Sequence, residues 1–428
     1  MNPQAAFDAI EYSRDHLRRQ FADVRAHSQS LSGMLSVEDH GLQSMPDASP
    51  AKWHLAHTSW FFEALILCAH IPRYKVFDPR FFELFNSYYE SLGPRHPRPQ
   101  RGLLSRPDLA EVQAYRRHVN HQIEQFLENA EGSVFDRAAP LITLGLQHEQ
   151  QHQELLLTDI KHAFSCNPLL PALNPITLVS NAAAPPQRWI DVPGGMVDVG
   201  HAGDGFAFDN ETPRHRVWLE SFRLAARPVC VGEYLEFMQE GGYRRPELWL
   251  SDGWSCVQTL KWEAPLYWRK ESPEDYRLFT LHGSCALDAN APVCHLSYYE
   301  AAAFATWAGA RLPTEFEWEH AAATASPVHR HELHHLHPQQ TTQTGAGFQA
   351  LFGEVWEWTQ SAYAPYPGFR PWSGAVAEYN GKFMINQMVL RGGSCVTPPG
   401  HLRRSYRNFF PPAARWQFSG VRLARDST

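Results

Sequence analysis

The chain has 428 residues, 43% of them hydrophobic, and carries 38 Lys and Arg against 45 Asp and Glu for a net charge of −7. That length suggests two or three domains, and the acidic balance leaves no basic stripe to neutralise phosphates, so no nucleic-acid partner is expected. No apolar run is long enough to span a bilayer, and the start Met1-Asn-Pro-Gln-Ala-Ala-Phe-Asp8 lacks the basic and apolar segments of a signal peptide, which points to a cytoplasmic protein without a membrane partner. The seven cysteines are odd in number and form no C-x-x-C pair, so neither a disulfide framework nor a zinc ribbon is indicated.

Residues 4–30 read as an amphipathic helix, with Phe7, Ile10, Leu17, Phe21 and Val24 recurring at helical spacing. Asp47-Ala-Ser-Pro50 offers a cap and an early proline for a second helix over 51–67, which is rich in aromatics and leucines and carries His54 and His57. An irregular aromatic and basic stretch follows from Phe85 to Leu104, where prolines at 94, 97 and 99 forbid a regular helix. A third helix is expected over about 107–130 and a fourth over about 135–165. Four helices with one long loop suggest a four-helix bundle, a fold that builds metal sites from inward side chains.

The fourth helix carries His148-Glu-Gln-Gln-His152. Four-residue spacing puts two imidazoles about 6 Å apart on one helix face. Such a pair can hold one metal ion, with a third ligand from elsewhere, and imidazole suits Fe, Zn, Cu or Ni. The same letters spell H-E-x-x-H, the zinc-hydrolase pattern in which Glu149 would be the general base. Spacing alone leaves that alternative open.

Asn167–Pro175 and Asn181–Pro186 form a Pro- and Ala-rich span, read as a linker over 171–187 between a first domain at 1–170 and a second at 188–428. Beyond it Gly, Trp and short β-type runs dominate, with helices expected at Val231–Gln239 and Ser297–Ala308. The His-rich stretch around His329–His337 has no fixed ligand spacing and reads as an exposed polar loop.

Pro193-Gly-Gly-Met-Val-Asp-Val-Gly200, Arg311-Leu-Pro-Thr-Glu-Phe-Glu-Trp-Glu319, Gly353-Glu-Val-Trp-Glu-Trp-Thr359, Leu390-Arg-Gly-Gly-Ser-Cys395 and Gly420-Val-Arg422 resemble, in order, the formylglycine-generating-enzyme fold, a C-type-lectin-like architecture. The first half resembles a DinB-like four-helix bundle, giving an expected α+β, two-domain chain. Trp53-His-Leu-Ala-His57, Leu84-Phe-Asn-Ser-Tyr-Tyr-Glu90, Arg101-Gly-Leu-Leu-Ser-Arg-Pro107, His148–Glu154 and Tyr406-Arg-Asn-Phe-Phe-Pro-Pro412 together resemble the ergothioneine-type sulfoxide synthases, including the related selenoneine synthases. That resemblance implies a non-haem Fe(II) enzyme using O2 to join a thiol sulfur, or a selenol selenium, to C2 of the hercynine imidazole. It implies metal ligands His57, His148 and His152, and a proton donor at Tyr88 or Tyr89. It further implies that Gln151 meets the hercynine imidazole and Asn408 its carboxylate, with Phe409 and Phe410 beside them. Arg95, Arg98 and Arg101 are candidates to clamp a donor carboxylate. Phe410 stands where the branch using γ-glutamylcysteine has an acidic residue, which favours a smaller donor such as cysteine and leaves a seleno- or thio-sugar open. The family reading places the active site where the second domain closes over the bundle. The competing readings are the zinc hydrolase, a non-catalytic lectin-like binding module, and a formylglycine-generating activity involving Cys395.

Overall fold

The structure is a computed structural model describing residues 13–178, 184–203, 205–272, 275–325, 335–340 and 347–427. Phe7 and Ile10 of the first expected helix, residues 181–183 of the linker and 329–334 of the His-rich stretch lie outside the described residues. The chain forms two compact units. One comprises Met1–Asn167 with Gly203–Asp209 and Arg370–Lys382, and the other comprises Pro168–Ala202, Asn210–Phe369 and Phe383–Thr428. No helix among the described residues is long and apolar enough to cross a membrane.

The first unit is built on four helices: α1 (Arg14–Ser32), α2 (Ala51–Phe62), α3 (Leu109–Asn129) and α4 (Gly132–Ser165). Leu17, Phe21 and Leu31 form the buried apolar stripe of α1, and Arg25 and Ser28 share that face. Of α2 only Lys52 escapes burial, which makes it the central helix, packed against α3 and α4. The proline expected early in this helix sits at its N-cap, where no side chain caps the helix. Ser49 is used otherwise: its N–H donates to Asp159 Oδ2 at 2.8 Å, and its hydroxyl accepts from Arg101. Regular α-geometry ends at Phe62, and Glu63–Leu67 forms a π-turn. That turn carries the buried Glu63, whose carboxylate accepts from the Tyr74 and Tyr115 hydroxyls and the Phe77 N–H. A capping box between Asp108 and Glu111 starts α3.

Helices α2 and α4 meet closely at Gly145, where an added Cβ would lie 2.7 Å from a ring carbon of Phe62. Gly145→Ala would gain about 1 kcal/mol of helix propensity but overpack a site walled by two rings, which costs about 1–3 kcal/mol. A net loss of stability is expected, and a denaturant titration showing a gain would contradict the close approach.

Among the described residues the second unit holds four small sheets. β1 (Trp189–Val192), β4 (Phe222–Ala225) and β12 (Ala424–Asp426) form one antiparallel sheet in the order β1-β4-β12. A hairpin pairs β2 (Gly195–Val199) with β3 (His215–Leu219), and a meander joins β5 (Trp268–Ser272), β6 (Asp275–Thr280) and β7 (Gly283–Ala286). The largest sheet runs β10 (Asn408–Phe410), β9 (Met388–Arg391), β8 (Trp356–Ala362), β11 (Ser419–Gly420), with β11 parallel to β8. Around them lie α5 (Val231–Gln239), α6 (Ser251–Leu260), α7 (Tyr298–Trp307) and α8 (Glu315–Ala321). Sequence reading located α5 and α7 but not α6 and α8. The former of these is dilute in strong helix formers, and the latter is a single capped piece of 7 residues.

The signature peptides of this half are joined by buried ion pairs. Arg422 meets Glu357 at 2.8 Å, Arg391 meets Glu315 and Glu319 at 3.0 Å each, and Arg407 meets Glu315 at 2.8 Å. Trp318 adds an indole N–H to Glu357. These charges lock strands and helix into one arrangement, so most of the signature describes how the unit holds together.

Candidate metal centre

Three imidazoles converge in the first unit. His57 comes from α2, and His148 and His152 come from one face of α4; their donor atoms all lie within 4.8 Å of one another. The ring centroids of His57 and His148 are 4.9 Å apart, those of His57 and His152 4.7 Å, and those of His148 and His152 4.6 Å.

Outer partners fix two of the three tautomers. His57 Nδ1 lies 2.6 Å from the Phe85 carbonyl, which can only accept, so Nδ1 carries the proton and Nε2 offers its lone pair. His54 Nε2 lies 3.1 Å from Asp159 Oδ2, and His54 Nδ1 lies 2.8 Å from His152 Nδ1. A proton on His54 Nε2 facing the carboxylate makes His54 Nδ1 an acceptor. His152 then donates from Nδ1 and keeps Nε2 as a lone pair. This Asp159–His54–His152 chain is the carboxylate–histidine support typical of metal ligands. The His148 ring stacks on Phe61 at 4.6 Å; its Nε2 lies 3.2 Å from His57 Nε2, while its Nδ1 is buried without a hydrogen bond.

Burial, reinforced by the neighbouring imidazoles, holds His57 and His152 well below the usual histidine range, and burial takes His148 down to about 3. All three are therefore neutral, the form that binds metal. His57 and His148 bring their Nε2 atoms to 3.2 Å of each other, and three neutral imidazole donors within 4.8 Å form a set that fits a first-row transition ion. Asp159→Ala is expected to weaken metal affinity about 10–100-fold by freeing the His54–His152 chain. Competition against a chelator measures this, and unchanged affinity would remove Asp159 from the support.

Glu149 points elsewhere. Its carboxylate is buried with Arg25 at 2.8 Å, Ser28 at 2.6 Å and Arg116. Burial alone would raise its pKa, but Arg116, Arg25 and Ser28 outweigh that and hold it at about 2. A carboxylate saturated in this way cannot act as a base at His148 and His152, which removes the physical ground for the H-E-x-x-H hydrolase.

The tyrosine pair stands beside the cluster. Tyr89 is buried, stacked on Tyr88 at 4.6 Å and lying 5.6 Å from Trp60, whose ring in turn stacks against His57 at 5.6 Å. Asn86 fixes the turn that carries them, accepting from the Tyr89 N–H at 3.0 Å and donating to the Tyr89 carbonyl at 3.0 Å. Burial pushes both phenols above their ordinary value, so both stay protonated.

The segment Arg370–Lys382 belongs to this unit and supplies residues that sequence reading missed. The Tyr379 hydroxyl donates to Gln151 Oε1, and its ring lies 5.8 Å from His148 and 6.4 Å from Tyr88. Phe208 stacks on Tyr379 at 5.4 Å, and Trp372 stands 5.9 Å from it. Glu378 accepts from the Ser91 N–H at 3.0 Å, the Ser91 hydroxyl at 2.8 Å and the Glu90 N–H at 3.1 Å, while Lys382 donates to the Tyr88 carbonyl and to Glu378. Burial opposes the Glu378 charge, but Lys382 and Ser91 prevail and hold it at about 2. No local spacing announces this segment. Asp159 was more accessible, because it lies seven residues after His152, two turns along the same face of α4.

The three candidate arginines differ. Arg95 is exposed and paired with Glu90 at 2.9 Å, and Arg98 is exposed. Arg101 is buried with its guanidinium 3.4 Å over the Trp53 ring, donating to Ser49 at 2.9 Å and to Ser87 at 3.3 Å. Burial, with Arg98 next, lowers its pKa to about 8. Trp53 stacks on His57 at 4.6 Å, so this cation sits one ring away from a candidate ligand. Asn408, Phe409 and Phe410 belong to the second unit on β10, where Phe409 stacks on Tyr363 at 4.0 Å.

A helical bundle with a buried three-histidine cluster able to hold a metal ion is followed by a unit of small sheets and short helices. The DinB superfamily matches residues 16–156, and the sulfatase-modifying factor enzyme 1-like domain matches 176–349 and 335–427. Hercynine oxygenase of Mycolicibacterium smegmatis is 31% identical over 442 residues, covering 97% of this chain and 99% of the relative. The hercynine oxygenase of Mycobacterium tuberculosis is 31% identical, covering 94% and 97%. A formylglycine-generating enzyme of Streptomyces coelicolor is 28% identical over 281 residues, covering 53% of this chain and 82% of that protein. The chain belongs to the hercynine oxygenase family and is an oxygenase.

Proposed function

We propose that the protein binds iron(II) through His57, His148 and His152 and uses O2 to join the sulfur of a thiol donor, or the selenium of a selenol donor, to C2 of the hercynine imidazole, giving the sulfoxide or selenoxide. The observation that carries this reading is the neutral three-histidine cluster with two Nε2 lone pairs fixed from outside, beside Gln151 and Tyr379. Bound iron(II) would supply O2 activation, and a set of three neutral ligands would leave positions for O2 and the donor atom.

The remaining roles fall to the chain's own side chains. Gln151, its carbonyl held by Tyr379, orients the hercynine imidazole. The rings of Phe208, Trp372 and Tyr379 suit a trimethylammonium group through cation–π attraction. Arg101 is the buried cation available to a donor carboxylate. Tyr88, Tyr89 and Tyr379 are the phenols that can hold or give up a proton beside the cluster. Tyr379→Phe is expected to lower kcat by about 10²-fold or more, in the range of a lost acid–base group, with hercynine binding weakened as Gln151 loses its partner. An unchanged kcat in steady-state assays would assign the proton to the Tyr88–Tyr89 pair.

The deciding experiment is an aerobic assay with Fe(II) and hercynine, offering cysteine, γ-glutamylcysteine and a selenosugar in parallel and reading products by mass. Attachment of one donor to hercynine is the expected result. If none attaches, the reading fails.

A further inference from the structure

A second recess lies within the second unit, away from the histidines in sequence and built from other elements. Its volume is about 890 Å³, within the range of small-molecule sites, and its walls come from α5, the turn after it, the end of α6 and the β5–β6 hairpin. Three cations line it: Arg244, Lys261 and Lys270, against the single carboxylate of Glu263. None of the three cationic heads has a hydrogen-bond or ion-pair partner among the described residues. In a chain of net charge −7, three unpaired cations around one cavity form a local positive field that attracts an anion.

The walls are aromatic and fixed. Tyr243 is buried, and its hydroxyl donates to Glu300 at 2.6 Å and meets the Tyr234 hydroxyl at 3.0 Å. Trp262 is half-buried, with the Arg415 guanidinium 4.2 Å from its ring centroid, which holds the indole in place. Tyr276 completes the aromatic lining from β6.

The backbone gives a second, independent observation. Lys261 ends α6 in the left-handed region, at φ 55° and ψ 45°. Helices commonly end on such a residue, but it is usually glycine, because a side chain is strained there. Lys261 is one of seven non-glycine residues at positive φ among the described residues, and here that conformation brings an ammonium to the rim of the cationic recess. The end of a helix also favours a cation.

We propose that this recess binds a phosphorylated small molecule carrying a ring, either a nucleotide or a sugar phosphate, with the phosphate among Arg244, Lys261 and Lys270 and the ring against Trp262 and Tyr276. The test is isothermal titration of the full-length, metal-loaded protein with ADP, glucose 1-phosphate and inorganic phosphate. At least one ring-bearing phosphate should saturate with a submillimolar Kd, about tenfold or more tighter than inorganic phosphate. Preference for ADP assigns a nucleotide site, and preference for glucose 1-phosphate assigns a sugar-phosphate site. Lys261→Gly should raise the melting temperature by relieving the strained backbone while weakening that binding about tenfold, and Lys270→Ala should weaken it without changing metal content. The proposal is overturned if no ring-bearing phosphate saturates, if inorganic phosphate binds as tightly, or if binding survives Lys261→Gly and Arg244→Ala undiminished.

Discussion

His148→Ala is expected to remove both bound metal and oxygenase turnover. His148 supplies one of three imidazoles within 4.8 Å, its Nδ1 has no hydrogen bond to hold the ring, and its Nε2 faces that of His57 at 3.2 Å. Losing a direct ligand should exceed the roughly 10–100-fold effect of losing an outer partner. Elemental analysis of the purified variant reads metal content directly, and circular dichroism shows whether the bundle survives. The bundle should survive, because removing one neutral imidazole from a polar centre leaves the apolar stripes of the helices intact. A folded variant with stoichiometric metal would take His148 out of the ligand set. The lectin-like binding alternative predicts that function also survives this change.

Glu149→Ala, one residue away, is expected to behave in the opposite manner. It leaves Arg25 and Arg116 buried without their carboxylate, and breaking such a pair costs about 3–5 kcal/mol. That is a large share of a typical stability of about 5–15 kcal/mol. Denaturant titration should show a markedly lowered midpoint. A stable but inactive variant would return Glu149 to a chemical role. The same group sets an acid limit. Its pKa of about 2 in the fold lies below the ordinary 4.5, so its contribution is complete above pH 4.5 and is lost as pH falls toward 2. A shift of that size corresponds to about 3 kcal/mol. The Glu149→Gln variant, which has no charge to lose, should show a flatter stability profile across this window.

The sequence spoke most clearly where one short stretch decides a feature. His148 and His152 needed only helical spacing, and the bundle helices followed from apolar periodicity in long segments. His57 was reached by resemblance, because no rule of spacing links residues 91 positions apart. Glu149 illustrates the limit of motif reading. The letters H-E-x-x-H are the same in a hydrolase, and only the arginines arriving from α1 and α3 reveal that this carboxylate holds helices together. Tyr379 was illegible for a different reason. It lies between two short 3-10 turns, Gly374–Glu378 and Gly381–Phe383, that carry no periodic signal, and its partner Gln151 is 228 residues away. The second unit was recognisable from its peptides, yet their carboxylates and arginines turn out to be joined to one another in buried pairs, which accounts for their recurrence together without assigning them chemistry.

That the first unit includes Arg370–Lys382 has a consequence for how the protein comes into being. A ribosome that has released residue 167 has made all three histidines and every helix of the bundle. The nascent chain at that moment can offer a metal its imidazoles, but Gln151 is uncapped and the loop at Ser91 lacks its carboxylate partner. Both arrive only when synthesis has passed residue 382, after most of the second unit has been made. Synthesis of the three imidazoles and completion of the surroundings of Gln151 are thus separated in time by the order of the chain.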